Sequence, residues 1–245
     1  MTHSRLSFKA LGACALAFIL MAVWAVTVQA ESTGGTWTYQ EKFTGTLKAF
    51  EGALAEPEIG VEVDVTLVLH SEALGGTKVL YECRQISTVA GSKLKPNGVA
   101  LGKLVFTECA AFLNGVLSTP CKPKDGKITT NLIKAQMLLH KLFFSTDKIL
   151  IAEGETEAGG AANFAVIEST ATCALGIKVP VGGKFAIEPA NPTTHETKHL
   201  FQEFSDLTHL WILSDTAEHQ ASILGSAWAF LTGAHAGLKW AGLWL

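Results

Sequence analysis

Apolar and polar residues alternate along residues 61–69, which makes this stretch the clearest single element of the chain. Alternation with a period of two over this length predicts a half-buried antiparallel strand. In the sequence VEVDVTLVL, the apolar face consists of Val61, Val63, Val65, Leu67 and Leu69, and the opposite face carries Glu62, Asp64 and Thr66.

Shorter apolar runs follow, separated mostly by Gly, Pro, Asn or Asp. Glycines 75–76 predict a turn into a second strand at 77–83, and Asn114-Gly115 predicts a tight hairpin. Short strands spaced about ten residues apart are typical of β-sandwiches and β-barrels, and we prefer the sandwich. The sequence therefore predicts a mainly β fold, an antiparallel β-sandwich-like domain after an N-terminal signal helix. Further strand-like runs cover 103–109, 127–133, 137–144, 148–154, 163–170 and 184–189.

Residues 130–144 allow two interpretations. The sequence TNLIKAQMLLHKLFF places Leu132, Ile133, Gln136 and Leu139 near helical spacing, which would suit one amphipathic helix. The same residues also suit two strands. We prefer the strands, because the surrounding sequence is rich in β-type patterns.

The C-terminal segment 220–245 is rich in tryptophan and small residues. Ala227 and Ala229 alternate with Trp228 and Phe230, so a strand would place large aromatic side chains on one face and small ones on the other. Core packing is the expected role of such aromatic residues. The alternative is an exposed patch for a sugar or a partner, for which the candidates are Trp211, Trp228, Trp240 and Trp244.

The first thirty residues have the pattern of a secretory signal peptide. Arg5 and Lys9 precede a continuous apolar stretch, and compact residues at Val28 and Ala30 precede ESTGG. We predict a signal peptide at 1–30 and a single β-rich domain at 31–245, with a subdivision near residue 190 as an alternative. An uncleaved anchor is the other interpretation of the apolar stretch. The predicted location is extracellular, periplasmic or in the cell envelope, with no stable membrane span after cleavage.

Charge and motifs exclude several classes of function. Residues 31–245 carry 17 basic and 22 acidic residues, a net charge of −5. A nucleic-acid partner would require a clustered positive surface, so we expect no nucleic acid. The sequence has no G-x-S-x-G, P-loop or G-x-G-x-x-G motif, and we expect no cofactor.

Four cysteines remain after the predicted cleavage, an even number that suggests two disulfides in an exported chain. The hairpin at Asn114-Gly115 would place Cys109 opposite Pro120, with Cys121 one step out of register. A bulge at the proline would correct that offset. The predicted pairs are therefore Cys109–Cys121 and Cys83–Cys173.

Three segments carry a resemblance to known proteins: VFTECAAFLNGVLSTPCKPKDGKITTNL, ATCALGIKVPV and TAEHQASILGSAWAFLTGAHAGLKWAGL. Together they resemble a large group of exported, β-rich bacterial proteins that have a signal peptide, similarly placed cysteines and no assigned activity. The resemblance covers roughly residues 60–245. It implies export and a β fold, and it implies no catalytic residue and no ligand.

The sequence HETKH at 195–199 matches the H-E-x-x-H pattern of zinc hydrolases. On a helix, positions i and i+4 lie about 6 Å apart, so two imidazoles can share a zinc ion while the glutamate activates a bound water. On a strand, the same positions lie about 13 Å apart and cannot share one metal. The candidate zinc site consists of His195 and His199 as ligands, Glu196 as base and Glu218 as third ligand.

Local signals around this motif conflict. Thr193 and Glu196 form a capping box after Pro192, which favours a helix. The threonines and the β-rich surroundings favour a strand, which we prefer. Without a convincing catalytic set, the expected function is a non-catalytic envelope or extracellular module, which binds an unknown protein or polymer partner. A secreted zinc metallohydrolase is the alternative.

Overall fold

The computed structural model describes residues 32–40, 44–51, 56–74, 76–142, 145–156, 158–189, 195–202, 207–214 and 217–244. Ser32–Leu245 form one compact unit. Its regular structure is almost entirely antiparallel strand, with short 3-10 turns at Lys124–Gly126 and Gly233–His235. The predicted mainly β, antiparallel class is confirmed. The predicted signal peptide at 1–30 and the alternative boundary near 190 lie outside the described residues.

The described chain contains the following strands, numbered in chain order. They are β1 (Ser32–Thr33), β2 (Gly35–Gln40), β3 (Leu47–Ala49), β4 (Ile59–Leu74), β5 (Thr77–Thr88), β6 (Lys93–Lys95), β7 (Val99–Gly102), β8 (Leu104–Leu113), β9 (Val116–Leu117), β10 (Ile128–Thr129), β11 (Leu132–Leu142), β12 (Ser145–Glu155), β13 (Ala161–Ala162), β14 (Ala165–Glu168), β15 (Lys178–Pro189), β16 (Glu196–Gln202), β17 (His209–Ser214), β18 (Ala217–Leu231) and β19 (Lys239–Trp244).

Several predicted elements are present. The alternating stretch 61–69 lies within β4, which forms a hairpin with β5. Asn114 and Gly115 have positive φ angles of 52° and 80°, as a type I′ turn requires, and they join β8 to β9 with Leu113 opposite Val116. Residues 132–142 are one continuous strand, so the helical alternative for this segment is excluded, and the predicted break between two strands within it is wrong.

One sheet of long strands organises the fold. The long strands β4, β18 and β15 run antiparallel to their neighbours, and β16 and β17 lie end to end between β18 and β15. We call this sheet, made of β4, β18, β16 with β17, and β15, the long wall. Its inner face packs against the rest of the domain.

The long wall closes into a first lobe at one end. From β15 the hydrogen-bonded sheet continues through β12, β11, β7 and β6. Next to β6, Ile59 N donates to Ser92 O at 2.9 Å, and Leu94 N donates to Pro57 O at 3.0 Å. These bonds join β6 to the start of β4, so the strands of the first lobe form a ring around an apolar interior.

A second lobe closes at the other end of the same wall. The sheet runs from β4 through β5 and β8 to β10, and Thr130 bridges to Ala165 at the start of β14. β14 then pairs with β15, which completes the second ring. Each lobe therefore has the long wall on one side and a shorter sheet on the other, in a sandwich-like arrangement.

A separate sheet of β19, β2 and β3 contributes two tryptophans to the first lobe. The rings of Trp37 and Trp240 lie 5.7 Å apart, and both side chains are buried. Trp37 Nε1 donates a hydrogen bond to Val99 O at 2.7 Å. This small sheet therefore contributes part of the core of the first lobe.

The predicted inward position of Val65 is wrong. From Val68 to Val63, β4 advances five residues while β18 advances only three, from Leu224 to Ala227. Extra residues of this kind form β-bulges, which turn the following side chains to the other face. Val65 is consequently 55% exposed on the outer face of the long wall.

The predicted disulfide pairing is also wrong. The observed bonds are Cys83–Cys109 and Cys121–Cys173, in place of the predicted Cys109–Cys121 and Cys83–Cys173. Cys83 and Cys109 face each other directly across the β5–β8 ladder. The sequence-based pairing depended on the register of the β8–β9 hairpin, which a local turn motif predicts. The register of β8 against β5, which sets the observed bond, has no such local signal.

The path of the chain around Cys121 explains the second disulfide bond. The β8–β9 ladder ends at Leu117, so Cys121 leaves the hairpin. The chain then packs on the loop between β14 and β15, where Thr170 N donates to Pro120 O at 3.2 Å. Cys173 lies in that loop and is the partner within reach.

Peptide mapping without reduction will test this pairing. Cys109 and Cys121 have no Lys or Arg between them, so trypsin leaves both on one peptide. Chymotrypsin, which cuts after Phe112, separates them. We expect the Cys109 peptide to be linked to the Cys83 peptide, and the Cys121 peptide to the Cys173 peptide. Recovery of a Cys109–Cys121 link would contradict the structure.

Candidate functional site

The HETKH motif lies on a strand and not on a helix. Glu196–Gln202 form β16, and His195 occupies an exposed bend before it. His195 and Glu196 are exposed and His199 is buried, so the two histidines occupy different environments. Because a strand separates positions i and i+4 by about 13 Å, His195 and His199 cannot share one zinc ion.

The third predicted ligand is also far away. Glu218 is exposed at the start of β18, opposite Leu213. His199 pairs with Ala227 of the same strand, nine residues further along, which corresponds to about 30 Å. Within the described part of the chain, no group of three or more His, Cys, Asp or Glu side chains could hold a metal ion.

His199 instead belongs to the core of the first lobe. Its Nδ1 lies 2.9 Å from Thr197 O, and since a carbonyl oxygen only accepts, Nδ1 carries the proton. The imidazole stacks on Trp240, with 6.2 Å between ring centroids. Burial lowers the pKa of His199 to about 4, although the bond to Thr197 opposes this shift. His199 is therefore a neutral packing residue at pH 7.

The four tryptophans that were candidates for an exposed patch divide into two groups. Trp240 and Trp244 are buried, with 1% and 8% exposure. Trp211 and Trp228 are half-buried on the outer face of the long wall. Core packing, the expected role of the C-terminal aromatic residues, therefore does not apply to Trp228. The face of β18 that carries Ala227 and Ala229 points inward, because Trp37 and Trp240 already fill much of the first lobe.

Trp228 belongs to a hydrogen-bonded group on three adjacent strands, with the Asp64 carboxylate at its centre. We call Asp64, Lys198, Ser226 and Trp228 the outer cluster. Asp64 Oδ2 accepts from Ser226 Oγ at 2.6 Å and lies 2.6 Å from Lys198 Nζ, and Asp64 Oδ1 accepts from Trp228 Nε1 at 3.0 Å. Lys198 Nζ also lies 5.9 Å from the centroid of the Trp228 ring.

The electrostatics of the outer cluster favour a fixed arrangement over a reactive one. Hydrogen bonds from Lys198 and Ser226 lower the pKa of the Asp64 carboxyl, so it is ionised at neutral pH. Ser226 is 1% exposed and its hydroxyl donates to that carboxylate. A buried hydroxyl held in this way is a poor nucleophile. The cluster therefore holds the indole of Trp228 in one orientation.

Three exposed aliphatic side chains surround the outer cluster. Val65 and Leu200 pair with Ser226 from its two neighbouring strands, and Leu224 lies two residues before it on β18. They are 55%, 37% and 44% exposed, respectively. We call these three residues the aliphatic rim. Exposed apolar groups next to a tryptophan and a charge pair are typical of an interaction surface.

Sequence reasoning found only part of this site. Trp228 was a candidate for an exposed patch, and Asp64 was predicted to lie on the polar face of its strand. Lys198 occupies a variable position of the H-E-x-x-H pattern, and that pattern gives it no role. No local signal joins these residues, because three strands distant in sequence bring them together.

Comparison with known protein families, with curated proteins and with solved structures found no match for this chain. Within the described residues, no helix has the length and apolar character required to cross a membrane.

Proposed function

We propose that this protein is an exported bacterial binding module without catalytic activity, and that it binds a protein partner through the outer cluster and the aliphatic rim. Two disulfides support export, because such bonds persist mainly in oxidising compartments. The signal-peptide pattern of residues 1–30 supports the same location, in the cell envelope or outside the cell.

The observation that carries the proposed binding role is the fixed, half-exposed indole of Trp228 within exposed aliphatic residues. Tryptophan is enriched among residues that dominate binding energy. Holding such a side chain in place before binding reduces the entropy lost on association. The aliphatic rim favours a protein over a hydrophilic polymer, because apolar side chains of a protein partner can cover the exposed aliphatic groups.

We expect Trp228→Ala to weaken partner binding by about thirty-fold, the effect of losing ~2 kcal/mol at an interface hot spot. A photo-crosslinking amino acid at Leu224 measures this in the cells that make the protein. With wild-type Trp228 it should give a discrete protein adduct, and Trp228→Ala should strongly reduce that adduct.

Trp211→Ala is the matched control. Trp211 is also half-buried on the outer face, but it pairs with Gln220, about 26 Å along β18 from Trp228. This variant should keep the adduct, and a crosslinker at exposed Ile177 should not form it. An adduct that survives Trp228→Ala would contradict the role of Trp228 in binding. Crosslinking to polysaccharide alone would contradict a protein partner at this surface. Crosslinking of the purified chain alone identifies a second copy.

A further inference from the structure

The interior of the first lobe contains an apolar cavity of ≈ 110 Å³. One water molecule needs about 10–15 Å³ of such space, and close-packed interiors contain few larger voids. In another protein, an engineered apolar cavity of ~150 Å³ stays dry and binds benzene. The size of this cavity is therefore sufficient for a small hydrocarbon group.

Alanines on four strands create the space. Ala100, Ala135 and Ala152 lie in one row, because they pair directly across β7, β11 and β12. Ala227 and Ala229 of β18 also line the cavity. Larger side chains at these positions would fill it, as aliphatic residues do elsewhere in the core.

The polar groups of the lining are largely occupied by partners inside the protein. The indole N–H of Trp37 is bonded to Val99 O, and Ser92 Oγ donates to Val89 O at 2.7 Å. His199 Nδ1 is bonded to the Thr197 carbonyl. The buried indole N–H of Trp240, which also lines the cavity, has no hydrogen-bond partner among the described residues. One such donor does not replace the hydration that an ionised group would lose deep in this interior.

We propose that the first-lobe cavity, which has about three quarters of the volume of the benzene-binding cavity above, binds one uncharged hydrocarbon group of up to about six carbon atoms. The group comes either from a small free molecule or from the end of an alkyl chain. This internal site is separate from the surface formed by the outer cluster and does not depend on the proposed protein partner.

Bromobenzene is a direct probe, because Trp37 and Trp240 line the cavity and a bromine atom in contact with an indole quenches its fluorescence. We expect saturable quenching with a dissociation constant on the order of 1 mM, a modest affinity for a ligand of this size. Quenching that rises linearly with bromobenzene up to its solubility limit would overturn the proposal.

Two substitutions on one strand separate cavity binding from surface quenching. Ala229→Val adds two methyl groups to the cavity wall and should weaken binding at least ten-fold. Ala221→Val makes the same change at a buried position of β18 outside the lining and should leave binding unchanged. Ala152→Val is the second wall variant if Ala229→Val fails to fold in urea titrations. Wild-type affinity in a folded wall variant would overturn the proposal.

Competition identifies the source of the hydrocarbon group. The ionisable residues of the lining are Lys103 and His199. Since His199 is neutral at pH 7, Lys103 is the one that carries a charge. Displacement of bromobenzene by hexan-1-ol with an affinity equal to or higher than that of hexanoate would indicate a neutral free molecule. Tighter binding of hexanoate, with the preference lost in Lys103→Met, would indicate an alkyl carboxylate. Failure of both compounds to displace bromobenzene would overturn the proposal.

Discussion

Removing the Cys121–Cys173 disulfide is expected to lower the free energy of unfolding by about 4 kcal/mol. The bond spans a sequence separation of 52 residues. Restricting an unfolded loop of that length stabilises the folded state by ~4 kcal/mol in the chain-entropy relation. The loss is large beside the ~5–15 kcal/mol total typical of a domain. Urea unfolding of Cys121→Ala/Cys173→Ala against wild type measures it, and the melting temperature should fall by roughly 8–16 °C.

The second disulfide provides the matched control. Cys83 and Cys109 span 26 residues, and the β5–β8 ladder already holds their strands together. Cys83→Ala/Cys109→Ala should therefore cost less than removal of the longer-range bond. The reverse order of the two losses would show that strain or residual structure, and not loop length, determines their contributions. A loss below about 1 kcal/mol for the longer-range bond would contradict the prediction.

Local patterns predicted the local elements of this fold. The alternation at 61–69 predicted β4, and Asn114-Gly115 predicted a tight turn, because both depend on residues adjacent in sequence. The position of Val65 was missed, since a bulge is produced by the mismatch between β4 and its neighbour β18. The sequence of one strand does not show how many residues its partner strand has between the same two paired positions.

Long-range register accounts for the other errors. The disulfide pairing depends on how β5 faces β8, and the ends of the predicted hairpin could not show this. The face of β18 that points inward depends on Trp37 and Trp240, which belong to a different sheet. The outer cluster requires Asp64, Lys198 and Trp228 to meet on three strands. Their residue types suggested a polar face and an aromatic patch, but not that these coincide.

The HETKH motif shows how context overrides a local signal. The capping box would suit a helix, yet both edges of β16 pair with long strands. A helix at this position would leave β15 and β18 without their common neighbour in the first lobe. Ladder hydrogen bonds on both sides therefore outweigh a weak helical preference.

Acidification from pH 7 to pH 4 should reduce the free energy of unfolding by about 3 kcal/mol through His199 alone. The folded-state pKa of His199 is lowered to about 4 by burial, whereas an unfolded histidine has a pKa of about 6.5. Between these values the unfolded chain binds a proton that the folded chain does not bind. Stability therefore falls as the pH falls through this window, by up to ~1.4 kcal/mol per pH unit.

Urea unfolding at several pH values between 4 and 7 tests this dependence in wild type and in His199→Gln. In the variant, the slope of the free energy of unfolding against pH should be smaller by an amount that corresponds to up to one bound proton. This difference does not depend on the absolute stability of the variant. Carboxyls with lowered pKa values, Asp64 and Glu56, also contribute near the acid end, but they are common to both proteins and cancel in the comparison. His195→Gln is the matched control, because His195 is exposed in the same motif and its loss should preserve the wild-type slope. Equal slopes in wild type and His199→Gln would place a solvated imidazole at position 199. That result would contradict its burial beside Trp240, and with it the packing that defines the first-lobe cavity.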